Sequence, residues 1–195
     1  MFITISIFVL LLLALNCLNA QKRSKDDVEL TPILGVAFSN YYGEDRLENQ
    51  NLSSTQFGVD LDFFFNDRWS LRSGLLFQTM GSKVTRNYTE KLHYVTFPVN
   101  ANWHFGSTRR WNLNFGPNFS FLTAAEGNGV DLKDEANGFQ FGLAYGIGYK
   151  IEINEKFSLL IDYQGITGLT EVPKDNYYTI KNTYGSFNFG GVFKL

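Results

Sequence analysis

From Glu29 onward the side chains alternate between apolar and polar, and no long stretch carries the 3.6-residue period of an amphipathic helix. The cleanest case is Gln56 to Phe65. Phe57, Val59, Leu61, Phe63 and Phe65 form one face, and Gln56, Gly58, Asp60, Asp62 and Phe64 the other. After Asn66-Asp67-Arg68 the pattern resumes with Trp69, Leu71, Leu75 and Phe77 against Ser70, Arg72, Gly74 and Gln78, so the two runs read as a β-hairpin.

The same alternation recurs over His93–Phe105, Trp111–Leu122, Gly138–Asn154, Phe157–Gln164 and Thr183–Leu195, and Leu30–Tyr41 precedes them all. These runs predict eight strands. The links 66–68, 106–110 and 154–156 are short, whereas 43–54, 79–91, 123–137 and 165–181 are long and polar. Strict alternation of short and long links predicts an all-β, antiparallel up-and-down meander with one plain end and one elaborate end.

Period two alone leaves open which way the apolar face points. An eight-stranded barrel has an interior just wide enough for side chains or one small ligand. Here the apolar face carries Phe, Trp, Tyr or Leu at most positions, while the other face is rich in Gly, Ser, Asn and charge. The large residues are therefore expected to face outward into hydrocarbon, giving an eight-stranded transmembrane β-barrel. Phe65, Trp69, Trp103, Phe105, Trp111 and Phe157 near the short turns, and Tyr41, Tyr42, Phe77, Tyr94 and Tyr163 near the long links, are expected to form two interfacial girdles.

Residues 1–20 read as a cleavable signal peptide. Phe2 to Leu15 are almost all apolar, shorter than the roughly 20 residues of a membrane helix, and a polar, small-residue break ends at Ala20. A short periplasmic segment, 21–28, and a barrel domain, 29–195, follow. The single cysteine, Cys17, falls inside the leader, so the mature chain is expected to lack disulfides and thiol chemistry. A net charge of −2 gives no electrostatic case for nucleic acid.

With Phe65 paired to Trp69, Asp62 falls opposite Arg72 on the polar face. Asp60, Asp62 and Arg72, extended by Lys150, Glu152 and Asp162, are expected to form an ion-pair and hydrogen-bond plug in the lumen, because unpaired charges there would be costly. The alternative is a charged constriction that selects permeants. His93 and His104 are the only histidines, and they project to opposite faces of one strand. No serine stands beside either with a carboxylate at a visible spacing, so no enzymatic activity is expected. No metal or cofactor is expected either; the acidic link 123–137, with Glu126, Asp131, Asp134 and Glu135, reads as solvated. Pro98 and Pro117 remove ladder donors and predict bulges at a common height.

Tyr94-Val95-Thr96-Phe97-Pro98-Val99 resembles a motif, Tyr, two free positions, apolar, Pro, apolar, that opens the fourth strand of PorT-like outer-membrane barrels of Bacteroidota. The segments 114–120, 141–149 and 162–169 resemble further segments of that family in the same order. The resemblance implies an eight-stranded barrel in the bacterial outer membrane. It implies no single activity: the name-giving member assists protein secretion. The leading expectation is a monomeric barrel in outer-membrane lipid, with both termini periplasmic. Its long links, especially 43–54 and 165–181 with Tyr177 and Tyr178, are expected to bind another envelope protein or a surface ligand. Two other readings stand beside it: a soluble lipocalin-like carrier with the strands turned inside out, and a small diffusion channel.

Overall fold

A computed structural model describes residues 23–45, 49–85, 87–175 and 177–195. The expected leader, 1–20, lies outside the described residues. The strands are β1 (Val28–Tyr42), β2 (Gln50–Phe64), β3 (Trp69–Thr85), β4 (Tyr88–Phe105), β5 (Trp111–Gly127), β6 (Val130–Asp131), β7 (Phe139–Glu152), β8 (Phe157–Gly168) and β9 (Lys181–Lys194). Each pairs antiparallel with its neighbours in the order β4-β3-β2-β1-β9-β8-β7-β5, and β4 pairs with β5, so the sheet closes on itself. Eight strands make the wall. The two-residue β6 only folds back on the end of β5.

The wall carries its bulk on the outside. Leu34, Phe57 and Phe189 are 64 %, 54 % and 65 % exposed, whereas Asp62 and Lys150 are fully buried within the cylinder. A protein in water would leave few such rings in its solvent, so the exterior solvent is hydrocarbon. The arrangement is the inverse of a lipocalin-like carrier. The outward apolar band runs from Phe57 on β2 to Phe65 just past its end, Trp69 to Phe77 on β3, Val95 to Phe105 on β4 and Trp111 to Phe121 on β5. Each run matches the roughly 9–11 residues that a tilted strand needs to cross a bilayer.

Several strands are longer than that band. β3, β4 and β5 have 17, 18 and 17 residues, and the segment 79–91, expected as a long link, extends the β3–β4 ladder up to the pair Thr85–Tyr88. Beyond the hydrocarbon the outer face meets water, so Thr79, Lys83, Lys91 and His93 can stand there while the hydrogen-bond ladder continues. The remaining links shorten correspondingly to 43–49, 128–138 and 169–180.

The register pairs Asp62 with Arg72 and Phe63 with Leu71, and the Phe65 N–H donates to the Trp69 carbonyl. The proline bulges do not occur. The β3–β4 and β4–β5 ladders lose pairs beside Pro98 and Pro117 but keep one register on either side, so a missing donor is absorbed without an extra residue. The shift between β4 and β5 lies higher, between His93 and Tyr94, where Thr123 is the extra residue. On the outer surface Tyr145 lies across the sheet over Gly165. A Cβ there would come within 2.5 Å of the ring, so only glycine admits this packing.

Candidate functional site: the filled lumen and the long-link end

The end of the barrel bearing the short turns is filled by charge. Arg23, just before β1, donates from Nε to Glu29 Oε1 at 2.6 Å and from Nη1 to the Arg109 carbonyl at 3.1 Å. Glu29 also receives Lys150, whose Nζ stands 3.8 Å from Asp62 Oδ2. Asp62 accepts from Arg72 Nη2, Asn102 Nδ2 and Ser70 Oγ at 2.8, 2.8 and 2.9 Å. Arg72 continues to Asp162 at 3.7 Å, and Asn188 donates to Asp162 at 2.8 Å. These groups come from β1, β2, β3, β4, β7, β8 and β9, so one network ties the wall together across its bore. Within the network each buried charge faces an opposite one, the condition under which charges can be kept in a low-dielectric interior.

Of the six residues expected in this plug, four, Asp62, Arg72, Lys150 and Asp162, form it. Glu152 instead pairs with Arg110 at 3.1 Å near the mouth. Asp60 is buried facing inward, but its Oδ1 makes no protein hydrogen bond. Glu29 and Arg23 were not anticipated, because they lie at and before the start of the alternating pattern. His104, also unforeseen here, packs 4.8 Å from the buried Phe64 ring.

The fold brings together a serine, a histidine and an aspartate that no spacing in the sequence indicates. Ser70 Oγ lies 3.0 Å from His104 Nε2 and donates to Asp62. With its proton committed to the carboxylate, Ser70 accepts from His104 Nε2–H. A nucleophilic relay needs the order carboxylate, imidazole, hydroxyl. Here the hydroxyl is in the middle, and all three side chains are buried.

The opposite end of the lumen carries an apolar cluster, against the expectation of a polar bore throughout, with the buried Asn182 Nδ2 donating to Gln140 Oε1 at 2.6 Å beside it. Met80, Leu92, Tyr94, Leu122, Ile166 and Tyr184 form a buried cluster, roofed by Ala136 and Val172 from the links. Tyr41 belongs to this interior and not to a girdle. It is buried, and its hydroxyl donates to Glu90 Oε2 at 2.9 Å. Tyr94 likewise faces inward. Both occupy the inward parity of their strands, and a tyrosine near a strand end joins the outer belt only on the outward parity.

Outside, the girdle at the short-turn end is nearly continuous. Trp69–Trp103, Trp103–Phe105, Phe105–Trp111 and Trp111–Tyr149 have ring centroids 6.2, 5.0, 6.2 and 4.8 Å apart. Phe65 packs on Phe63 and Phe157 on Phe193. Tyr163 pairs with Phe187 at 5.1 Å higher on the wall. The links at the other end interlock: Asn137 Nδ2 donates to the carbonyls of Glu171 and Pro173, both at 2.8 Å, and the Thr179 N–H donates to Asp45 at 2.8 Å. Tyr177, 87 % exposed, and Tyr178 project from the last of them. Among the described residues no group of three or more His, Cys, Asp and Glu is placed to hold a metal ion.

A closed barrel with lipid-facing bulk is the architecture described by the outer membrane protein beta-barrel domain, which matches residues 8–193. The chain belongs to that family. It is thus an outer-membrane β-barrel protein, embedded in the lipid of that membrane. The solved structures agree on the fold. The outer membrane protein OprG from Pseudomonas aeruginosa superposes with a TM-score of 0.57 at 13 % identity, covering 91 % of this chain and 99 % of that one. Neisserial surface protein A (NspA) gives 0.53 at 14 % identity, covering 86 % and 97 %. No curated protein sequence matches the chain.

Proposed function

We propose that this protein is a closed, non-catalytic outer-membrane barrel that binds another envelope protein or a surface ligand through its long links. In this reading the barrel is a monomer with both termini in the periplasm, since the short turns share that end in bacterial barrels. The motif around Tyr94–Val99 supports placement with PorT-like proteins of Bacteroidota, and with it a role accessory to secretion.

The observation that carries the reading is the filled lumen: ion pairs occupy one half and an apolar cluster the other. Such a bore offers permeants no aqueous path, so recognition falls to the surface. Tyr177 and Tyr178 are large, exposed side chains on the 169–180 link, of the type that anchors interfaces.

Replacing both tyrosines by alanine should leave insertion intact and abolish co-purification of the partner from membranes. A double variant that inserts and retains every partner would refute the loop assignment. In planar bilayers the protein should give no conductance steps. Steady conductance altered by Arg72→Gln would replace this reading with that of a channel.

A further inference from the structure

Where the 128–138 and 169–180 links meet β4, they enclose a cleft of about 550 Å3 at the water-facing end of the barrel. Its floor is apolar, made by Leu92, Leu132, Val172 and Pro173. Its rim carries four carboxylates, Glu90, Asp134, Glu135 and Asp175, against one cation, Lys174. Asp134, Glu135 and Asp175 are exposed, and Tyr41 holds the Glu90 carboxylate from within the barrel.

The cleft is preformed. The Lys174 N–H donates to the Glu135 carbonyl at 2.8 Å, Ala136 bridges to Pro173, and the Asn137 N–H donates to the Val172 carbonyl at 2.8 Å. Walls fixed by backbone hydrogen bonds need little further ordering when a ligand enters. The volume lies within the usual range for ligand pockets, and here takes two or three side chains.

We propose that this cleft is the docking site for a basic amphipathic peptide segment of a protein partner, whose apolar side chains seat on Leu132 and Val172 while its lysines or arginines meet the carboxylate rim. This rests on the reading that the long links bind a partner, and it names the chemistry of that partner. Rim charges of one sign steer a complementary segment and reject an acidic one, while the apolar floor rejects a purely hydrophilic polycation.

The test uses the full mature chain in nanodiscs of zwitterionic phosphatidylcholine and a fluorescein-labelled peptide of alternating lysine and leucine, read by anisotropy against empty nanodiscs. The peptide should bind the protein-loaded discs, and matched Glu/Leu and Lys/Ser peptides should not. Asp134→Asn, Glu135→Gln and Asp175→Asn together should weaken binding by about tenfold at low salt. Leu132→Ser should weaken it at all salt concentrations. The rim side chains are exposed, so the triple variant is expected to fold, and circular dichroism checks it.

Equal binding to empty discs, equal binding of either control peptide, or unchanged affinity in the triple variant would each overturn the proposal. Tyr177→Ala with Tyr178→Ala, read in the same assay, tests the loop contacts apart from the cleft. If that pair, and not the acidic triple, abolishes peptide binding, the loop reading survives and the cleft assignment fails.

Discussion

Between the short turns and Gln56, the barrel interior is held by Glu29, Lys150, Asp62, Arg72 and Asp162, whereas at the far end Met80, Leu92, Tyr94 and Leu122 hold it. The outer surfaces differ in the opposite sense. Beside the charged interior stand Phe63, Trp69 and Leu113; beside the apolar interior stand Thr79, Lys83, Lys91 and His93. β3 and β4 therefore exchange their faces along their length. Where the wall meets lipid, packing apolar groups inward would gain little, so buried polar groups hold the interior by pairing with one another. Where the wall meets water, the hydrophobic effect returns and builds an inward apolar core as in a soluble protein.

If this comparison is right, the most damaging single change lies in the charged half. Asp62→Ala leaves Arg72 without its close partner and removes the acceptor of Ser70 and Asn102. It should cost about 3–5 kcal/mol, read from the urea midpoint of the protein in lipid vesicles. In the apolar half Leu92→Ala deletes packing without stranding a charge and should cost about 2–3 kcal/mol. A larger loss for Leu92 than for Asp62 would break the comparison. On the outer surface Trp69→Ala removes a stacked pair with Trp103 but creates no buried void, and should cost about 0.5–1.5 kcal/mol.

The exchange of faces also explains what the sequence reveals and what it conceals. The alternation from Gln56 to Phe65 and the Asp62–Arg72 register are local, and both are legible in the chain. The apolar plug hides in 79–91, where the phase inverts: Met80 and Leu92 point inward between outward Thr79, Lys91 and His93, a pattern easily read as polar link. Tyr41 and Tyr94 suffer the same misreading at the boundary. The ties Lys150–Glu29 and Arg72–Asp162 cross the bore between strands distant in sequence. They depend on closure and shear of the barrel, which no single strand encodes. The cleft is likewise made by two links meeting over β4, and neither link alone announces it.

The orientation of the wall can be measured by collision. Nitroxides attached to cysteines replacing Val59, Ile147 and Phe189, with Cys17→Ser and the protein in bilayers, report whether each site meets oxygen dissolved in acyl chains or a water-soluble nickel chelate. All three should collide with oxygen and be shielded from nickel, while a label replacing Tyr177 should show the reverse. Nickel access at positions 59, 147 and 189 without oxygen access would contradict the lipid-facing wall, and with it the chemistry assigned to both halves of the lumen.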